Sequence, residues 1–255
     1  AINAANASFT AADILAPTMI ITSAEVSDGA SSNDSTLSMT FTSGEATSNF
    51  VVGDISVSGG ALSSFNATSS TVYTATFTPS GDGAKTIDVA AGAFTDSSSN
   101  NNSSATQFNW TYDSSSPTMT ITSAEVSDGA TSDDSTLSMT FTSSEATSNF
   151  VVGDISVSGG ALSSFNATSS TVYTATFTPS GDGAKTIDVA AGAFTDSVSN
   201  NNVAATQFNW TYETQLPSPL DKQDVTSSVE ATEDIAAEWA NVIVDISYNR
   251  IAWLG

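Results

Sequence analysis

The chain has 255 residues and, with 27 acidic side chains against 4 basic ones, a formal charge of −23. It contains no histidine and no cysteine, which excludes imidazole acid–base catalysis, thiol chemistry, disulfides, haem ligation and zinc sites built from these residues. So few basic groups neutralise neither a nucleic-acid backbone nor an anionic lipid surface, and no apolar run approaches the ~18 residues of a membrane span. We therefore expect no nucleic-acid partner and no membrane insertion.

One repeat organises the chain: residues 17–112 recur at 117–212 with an offset of 100 residues. The two copies differ at seven positions: 20/120, 31/131, 33/133, 44/144, 98/198, 103/203 and 104/204. A repeat of this length predicts whole domains in tandem, each with its own core. We place the domains at 17–113 and 117–213, between an N-terminal segment, 1–16, and a C-terminal segment, 214–255.

The N-terminal segment aligns, at the same offset, with the end of the first repeat and its linker, so that Ala5 meets Ala105 and Asp13 meets Asp113. This predicts an orphan strand, which would satisfy its backbone by pairing with a sheet edge of another subunit. A frayed terminus or the cut end of a longer array is the alternative. The candidate assembly residues here are Ala5, Asn6, Ala7, Ser8, Phe9 and Thr10.

Within each repeat the hydrophobic residues alternate with polar ones, as Leu37, Met39 and Phe41 do. A period of two predicts strands with one buried and one wet face, and no segment of either repeat has a convincing helical period. About seven strands are expected per repeat, near 18–26, 36–43, 50–58, 62–68, 71–78, 85–91 and 106–112. The predicted core comprises Leu37, Phe41, Phe77, Ile87 and Trp110, with Leu137, Phe141, Phe177, Ile187 and Trp210.

Seven short antiparallel strands per repeat predict an all-β fold of two tandem immunoglobulin-like β-sandwiches. Through residues 35–41 (STLSMTF), 73–79 (YTATFTP) and 89–96 (VAAGAFTD), the repeats resemble the bacterial Ig-like modules of large surface proteins and adhesins. The resemblance covers about three quarters of the chain. It implies a spacer, a fibre or a ligand-binding head, because such modules serve all three roles.

Oxygen ligands are concentrated in the loops expected to meet between the two domains. Ca²⁺ prefers such hard oxygen ligands, and crowded carboxylates need either a cation or solvent. A solvated polar loop is the alternative. The candidate ligands are Asp28, Asp34, Asp82, Asp113, Glu145, Asp196 and Asn200.

Eight Asn-x-Ser/Thr sequons are present, and each is a candidate site for an N-linked glycan. In a chain this rich in Ser and Thr, chance also produces sequons. Asn109 and Asn209 are favoured because they alternate with buried aromatic residues and so should face water. The full set is Asn6, Asn33, Asn66, Asn101, Asn102, Asn109, Asn166 and Asn209.

The composition changes after Thr214. A Ser227-x-x-Glu230 capping box predicts a helix near 228–241, whereas the β-branched run 242–248 is equally typical of a strand. The C-terminal segment is therefore expected to be partly helical. Its apolar end, which includes Trp253 and Leu254, should pack on a repeat or on a neighbouring subunit.

Together these features predict a secreted, non-enzymatic structural subunit that assembles with other copies of itself into an extracellular fibre or surface appendage. Strand donation from the N-terminus would supply the contacts. Because the sequence starts at Ala1, we expect a processed, exported protein at the cell surface or outside the cell. The alternatives are a stalk of a calcium-dependent adhesin that meets cell-surface or matrix ligands, and a carbohydrate-binding module that uses Trp110 or Trp210 as a stacking platform.

Overall fold

A computed structural model describes residues 12–214, which form two β-sandwich domains. The predicted assembly residues 5–10, the predicted helix near 228–241 and the apolar end with Trp253 and Leu254 lie outside the described residues. Those three expectations stay predictions.

Each domain has eight strands and one short 3₁₀ turn, Val52–Asp54 or Val152–Asp154. The strands of domain 1 are β1 (Met19–Ser23), β2 (Ser31–Ser32), β3 (Leu37–Ser43), β4 (Ile55–Ser58), β5 (Gly60–Ala67), β6 (Val72–Pro79), β7 (Gly83–Val89) and β8 (Phe108–Tyr112). Those of domain 2 are β9 (Met119–Ser123), β10 (Thr131–Ser132), β11 (Leu137–Ser143), β12 (Ile155–Ser158), β13 (Gly160–Ala167), β14 (Val172–Pro179), β15 (Gly183–Val189) and β16 (Phe208–Tyr212). The prediction of an all-β tandem fold is confirmed.

Two four-stranded sheets face each other in each domain. In domain 1 their strand orders are β1-β3-β6-β5 and β2-β8-β7-β4, and domain 2 repeats both. The register places Leu37 opposite Phe77 in the first sheet and Lys85 opposite Trp110 in the second. Neighbouring strands are antiparallel except β2 with β8 and β10 with β16, which pair in parallel.

The predicted core lies between these sheets. Leu37, Phe41, Phe77 and Ile87 are fully buried, and the Phe77 and Trp110 rings meet edge to face with centroids 4.8 Å apart. Edge-to-face contacts of this kind stabilise a core beyond the area that they bury. Trp110 and Trp210 are only 3% and 2% exposed, so neither offers a face to a sugar. The hypothesis of a carbohydrate-binding module that stacks on these tryptophans is wrong.

The basic residues of the described chain, Lys85 and Lys185, are both buried. The Lys85 ammonium group lies 3.5 Å from the Ser80 carbonyl oxygen and 3.4 Å from that of Asp82. A buried ammonium group needs hydrogen-bond acceptors, and these two carbonyl oxygens supply them. The same bonds hold the turn before β7 in place. Over residues 12–214, no Lys or Arg side chain is therefore left at the surface.

Candidate cation site at the domain junction

Three carboxyl groups meet where the linker, residues 113–116 between β8 and Pro117, enters domain 2. Asp113 directly follows β8, Glu145 follows β11, and Asp196 lies in the loop after β15; an oxygen of each lies within 4.8 Å of the other two. Asp113 and Glu145 are half-buried, and Asp196 is buried. We call this set the junction cluster. All its potential ligand atoms are carboxylate oxygens, which a hard cation such as Ca²⁺ prefers.

The loop that carries Asp196 is fixed by its own hydrogen bonds. The amides of Val198 and Asn200 donate to Asp196 Oδ1 at 2.9 and 2.8 Å, and Asn200 Nδ2 donates to Asp196 Oδ2 at 2.9 Å. Asn200 Nδ2 also donates to the carbonyl oxygen of Asp113 at 3.0 Å. The loop therefore ties the linker to domain 2.

Domain 1 holds the same linker from the other side. Asp82 accepts hydrogen bonds from the amide and hydroxyl groups of Ser114, at 2.8 and 2.7 Å, and from the hydroxyl of Ser115 at 2.7 Å. Asn33 Nδ2 also reaches across to donate to Asn200 Oδ1 at 3.2 Å. The linker is thus bound to both domains.

The junction cluster is electrostatically strained. Burial, followed by the neighbouring charges of Asp113 and Asp196, raises the pKa of Glu145 above its usual value, and Asp82 adds to the effect. By contrast, the hydrogen bonds from Ser115 and Ser114 lower the pKa of Asp82. No exposed basic residue of the described chain offsets these charges, so their mutual repulsion is reduced by binding a proton or a cation.

A second cluster of the same composition lies where the chain enters domain 1. Oxygens of Asp13, Glu45 and Asp96 lie within 4.8 Å of one another, and Asn100 Nδ2 donates to the Asp13 carbonyl oxygen at 3.1 Å. Glu45 Oε2 is buried with no hydrogen-bond partner among the described residues. Burial and then the charge of Asp13 raise the pKa of Glu45. Sequence reasoning missed this lead-in cluster, although its residues precede those of the junction cluster by the repeat offset of 100.

The predicted calcium ligands are brought together only in part. Asp113, Glu145 and Asp196 form the junction cluster, Asn200 binds its backbone, and Asp82 lies beside it. The other two predicted ligands do not belong to the cluster. Asp28 accepts from the Asn109 amide at 2.7 Å, and Asp34 bonds the hydroxyl of Ser32. Their carboxylates stabilise their own loop, so that part of the prediction is wrong.

The sequons lie in different environments. Asn102 is buried, its Nδ2 donates to the carbonyl oxygens of Ala90 and Ser103, and its Oδ1 accepts from the Phe94 amide. This asparagine is structural, and its prediction as a glycan acceptor is wrong for the folded domain. Asn33 uses its Nδ2 in the junction. The exposed candidates are Asn66, Asn101, Asn109 and Asn166; Asn209 is half-buried, and Asn6 lies outside the described residues.

Residues 12–214 contain no helix long and apolar enough to cross a bilayer.

Both repeats match a known family. Residues 13–112 and 113–212 each match the bacterial Ig-like domain family, which confirms the resemblance found in the sequence and extends the first match over Asp13. The match covers more than half of the chain. A search of curated proteins finds no match.

Several solved structures are similar to this chain. The Escherichia coli adhesin FdeC has 18% identity and a TM-score of 0.40, over 75% of this chain and 63% of that one. Yersinia pseudotuberculosis InvD has 19% identity and a TM-score of 0.36, over 80% and 60%. Invasin, a bacterial integrin-binding protein, has 14% identity and a TM-score of 0.39, over 76% and 40%. The present chain therefore spans less than two thirds of each of these three.

Proposed function

We infer the function from the premise that this chain belongs to the bacterial Ig-like domain family. We propose that its two domains are a non-catalytic spacer of an extracellular, adhesin-type surface protein, and that Ca²⁺ at the domain ends stiffens it. The whole protein would meet cell-surface or matrix ligands. A shared fold hosts many functions, so the observation that carries the proposal is the carboxylate cluster at the start of each domain.

The position of the junction cluster supports a role in stiffness. Asp113 belongs to the linker, whereas Glu145 and Asp196 belong to domain 2. An ion bound by all three would join the linker to the domain, and Asp82 of domain 1, already bonded to Ser114, lies close enough to affect the charge of Glu145. A bound cation would neutralise these carboxylates and so remove their repulsion of Asp82, which otherwise favours separation of the two domains.

The donor set fits Ca²⁺ better than a transition metal. Carboxylate oxygens are the ligands in both clusters, and the chain has no histidine or cysteine to favour a softer ion. In the lead-in cluster, the unpartnered Glu45 Oε2 is an acceptor that a cation would satisfy. Asp13, Glu45 and Asp96 would hold one ion, and Asp113, Glu145 and Asp196 another.

Glu145→Gln tests the cation site, because its effect on stability relative to the wild type should reverse between chelator and Ca²⁺. In a chelator at pH 7, we expect the variant to melt at a higher temperature than the wild type, because it removes a charge that burial and its neighbours disfavour. With free Ca²⁺ at 100 times its Kd, the wild type should gain about 2.7 kcal/mol. The variant should lack that gain in domain 2. Calorimetry in EDTA and in Ca²⁺ measures both effects.

The matched control is Asp188→Asn, which removes the same charge from β15, away from the cluster. It should respond to Ca²⁺ as the wild type does. Equal melting of the wild type in EDTA and in Ca²⁺, with unchanged small-angle scattering, would overturn the cation proposal.

The pH dependence follows from the raised pKa of Glu145. A carboxyl group whose folded-state pKa is raised contributes stability that is fully present below the unfolded value, 4.5, and is lost as pH rises through the folded value. In chelator, the stability advantage of Glu145→Gln over the wild type should therefore be large at pH 7 and vanish below about pH 4.5. A difference that is constant with pH would mean that Glu145 does not titrate in this environment.

Fibre formation by strand donation is the finer form of the proposal. Among the described residues, β1 and β9 are the equivalent edge strands, and each borders a cavity of about 130 Å³, lined in domain 1 by residues such as Met19, Ile21 and Phe108. One observation favours domain 1 as the receptor. Ile20 beside its cavity is 60% exposed, whereas domain 2 has Thr120 there. Deleting residues 1–11 should then abolish fibres in negative-stain images while circular dichroism stays unchanged. Normal fibres from the deletion variant would rule out donation.

A further inference from the structure

The few differences between the repeats are concentrated at the domain ends. Of the seven differing positions, four hydrogen-bond to the lead-in of their own domain or to the other domain. Position 44/144 bonds Thr18 or Thr118, Ser98 bonds Asp13, position 103/203 bonds Pro17 or Pro117, and Asn33 bonds Asn200. At 44/144 and 103/203 both copies keep the backbone bond, and of the four positions only Asn33 bonds the other domain, so Asn33 is the difference that bears on the junction.

We call the end that carries Asn33 and Asp82 the outgoing end, and the end that carries Asp96 and Asn100 the incoming end; domain 2 has the equivalents 100 residues later. At the junction, the incoming end of domain 2 presents a fixed acceptor. Asn200 Nδ2 is committed to Asp113 and Asp196, so its Oδ1 must point outward and accept. Asn33 supplies the donor.

The outgoing end of domain 2 lacks this donor. Asp133 stands where domain 1 has Asn33, and an ionised carboxylate only accepts hydrogen bonds. Docked against another incoming end, the Asp133 carboxylate would face the asparagine side-chain oxygen, which is also an acceptor. It would also add a negative charge beside an acidic cluster. The two outgoing ends are otherwise very similar. The replacement of the Asn33 amide by the Asp133 carboxylate therefore determines which incoming end each of them fits.

The lead-in of domain 1 differs from the linker in a matching way. Ile14 and Leu15 stand where the linker has Ser114 and Ser115, and they are 86% and 65% exposed. The two serines satisfy Asp82 of the preceding domain; isoleucine and leucine side chains offer no such donors. An outgoing end that covers them needs an apolar surface in place of that aspartate.

From these contacts we propose that Asn33 is the specificity-determining residue of the junction: an incoming end docks on an outgoing end only where a hydrogen-bond donor faces its asparagine. The incoming end of domain 1 accordingly fits the outgoing end of another Ig-like domain that has such a donor and an apolar residue in place of Asp82. The outgoing end of domain 2, with Asp133, does not fit a copy of this chain. The proposal deepens, and rests on, the proposed spacer function.

The test exchanges the two residues in the full chain. Asn33→Asp should lower the ratio of docked to undocked junctions about 2- to 10-fold, the effect of one hydrogen bond. Asp133→Asn, the reverse change at the other outgoing end, should leave the ratio unchanged. Spin-label distance distributions between the domains, recorded in EDTA, measure it, and Asn33→Ser, which keeps a hydroxyl donor, should retain more docking than Asn33→Asp.

Each result decides the proposal. An interdomain distance distribution as narrow in Asn33→Asp as in the wild type overturns it, and so does an equal broadening in Asp133→Asn. Unchanged melting of both domains shows that the variants are folded. These measurements are made without Ca²⁺. A wild type whose melting temperature does not respond to Ca²⁺ would therefore contradict the cation proposal alone, and the comparison of Asn33→Asp with Asp133→Asn would stay valid.

Discussion

Replacing Phe77 with alanine should destabilise domain 1 by about 3–5 kcal/mol, the usual cost of truncating a buried phenylalanine. Phe77 is fully buried, lies opposite Leu37 and packs its ring edge to face on Trp110. The backbone of β5 also packs against the ring, since a Cβ at Gly60 would overlap Phe77 Cζ. Two-transition urea unfolding measures the cost.

Domain 2 provides the internal control for this variant, because its own Phe177 is unchanged and equally buried. Its transition should stay where it is in the wild type. A surface truncation, Val51→Ala at a side chain 52% exposed, should change stability by less than about 0.5 kcal/mol. A loss below 1 kcal/mol for Phe77→Ala would mean that the core repacks, contrary to the geometry.

Asn102→Ala should also destabilise domain 1, although it removes a polar side chain. The amide of Asn102 satisfies the Phe94 amide and the carbonyl oxygens of Ala90 and Ser103. The Phe94 amide is buried, and leaving it without a partner costs about 1–3 kcal/mol; Ala90 and Ser103 are exposed, so water can replace the bonds to their carbonyl oxygens, and a loss of about 1–3 kcal/mol is expected. Asn109→Ala, at an exposed asparagine of the same domain, is the matched control and should have little effect. Equal losses from both variants would contradict the structural role of Asn102.

The period-two pattern identified β3 and β6 correctly because one face of each is buried. Leu37, Met39 and Phe41 in β3 alternate as predicted. It could not reveal β2, whose two residues pair in parallel with Thr111 and Tyr112 and are too few to show a period. The predicted strand at 50–58 is shorter in the structure, because Asp54 accepts from the Val51 amide at 2.8 Å and closes a 3₁₀ turn first.

For the candidate site, loop membership was predictable but side-chain direction was not. Asp113, Glu145 and Asp196 come together as expected, whereas Asp28, from a loop judged equivalent, turns back onto Asn109. The sequence does not reveal the lead-in cluster, because residues 1–16 align with the end of a repeat and so predict a strand for another subunit. In the structure Asp13 instead bonds Ser98 and Asn100 of its own domain, and hydrogen bonds of that kind leave no hydrophobic period in a sequence.

The near-identity of the two repeats also affects how the chain reaches its native state. The strand pair that places Leu37 opposite Phe77 recurs as Leu137 opposite Phe177, with the same residues throughout both strands. During refolding, β3 therefore finds an equally suitable partner in β14, and only the shorter chain separation from β6 favours the correct choice. Neighbouring domains of like sequence are prone to such strand exchange. Synthesis from the N-terminus helps here, because domain 1 can fold before its competitor has been made.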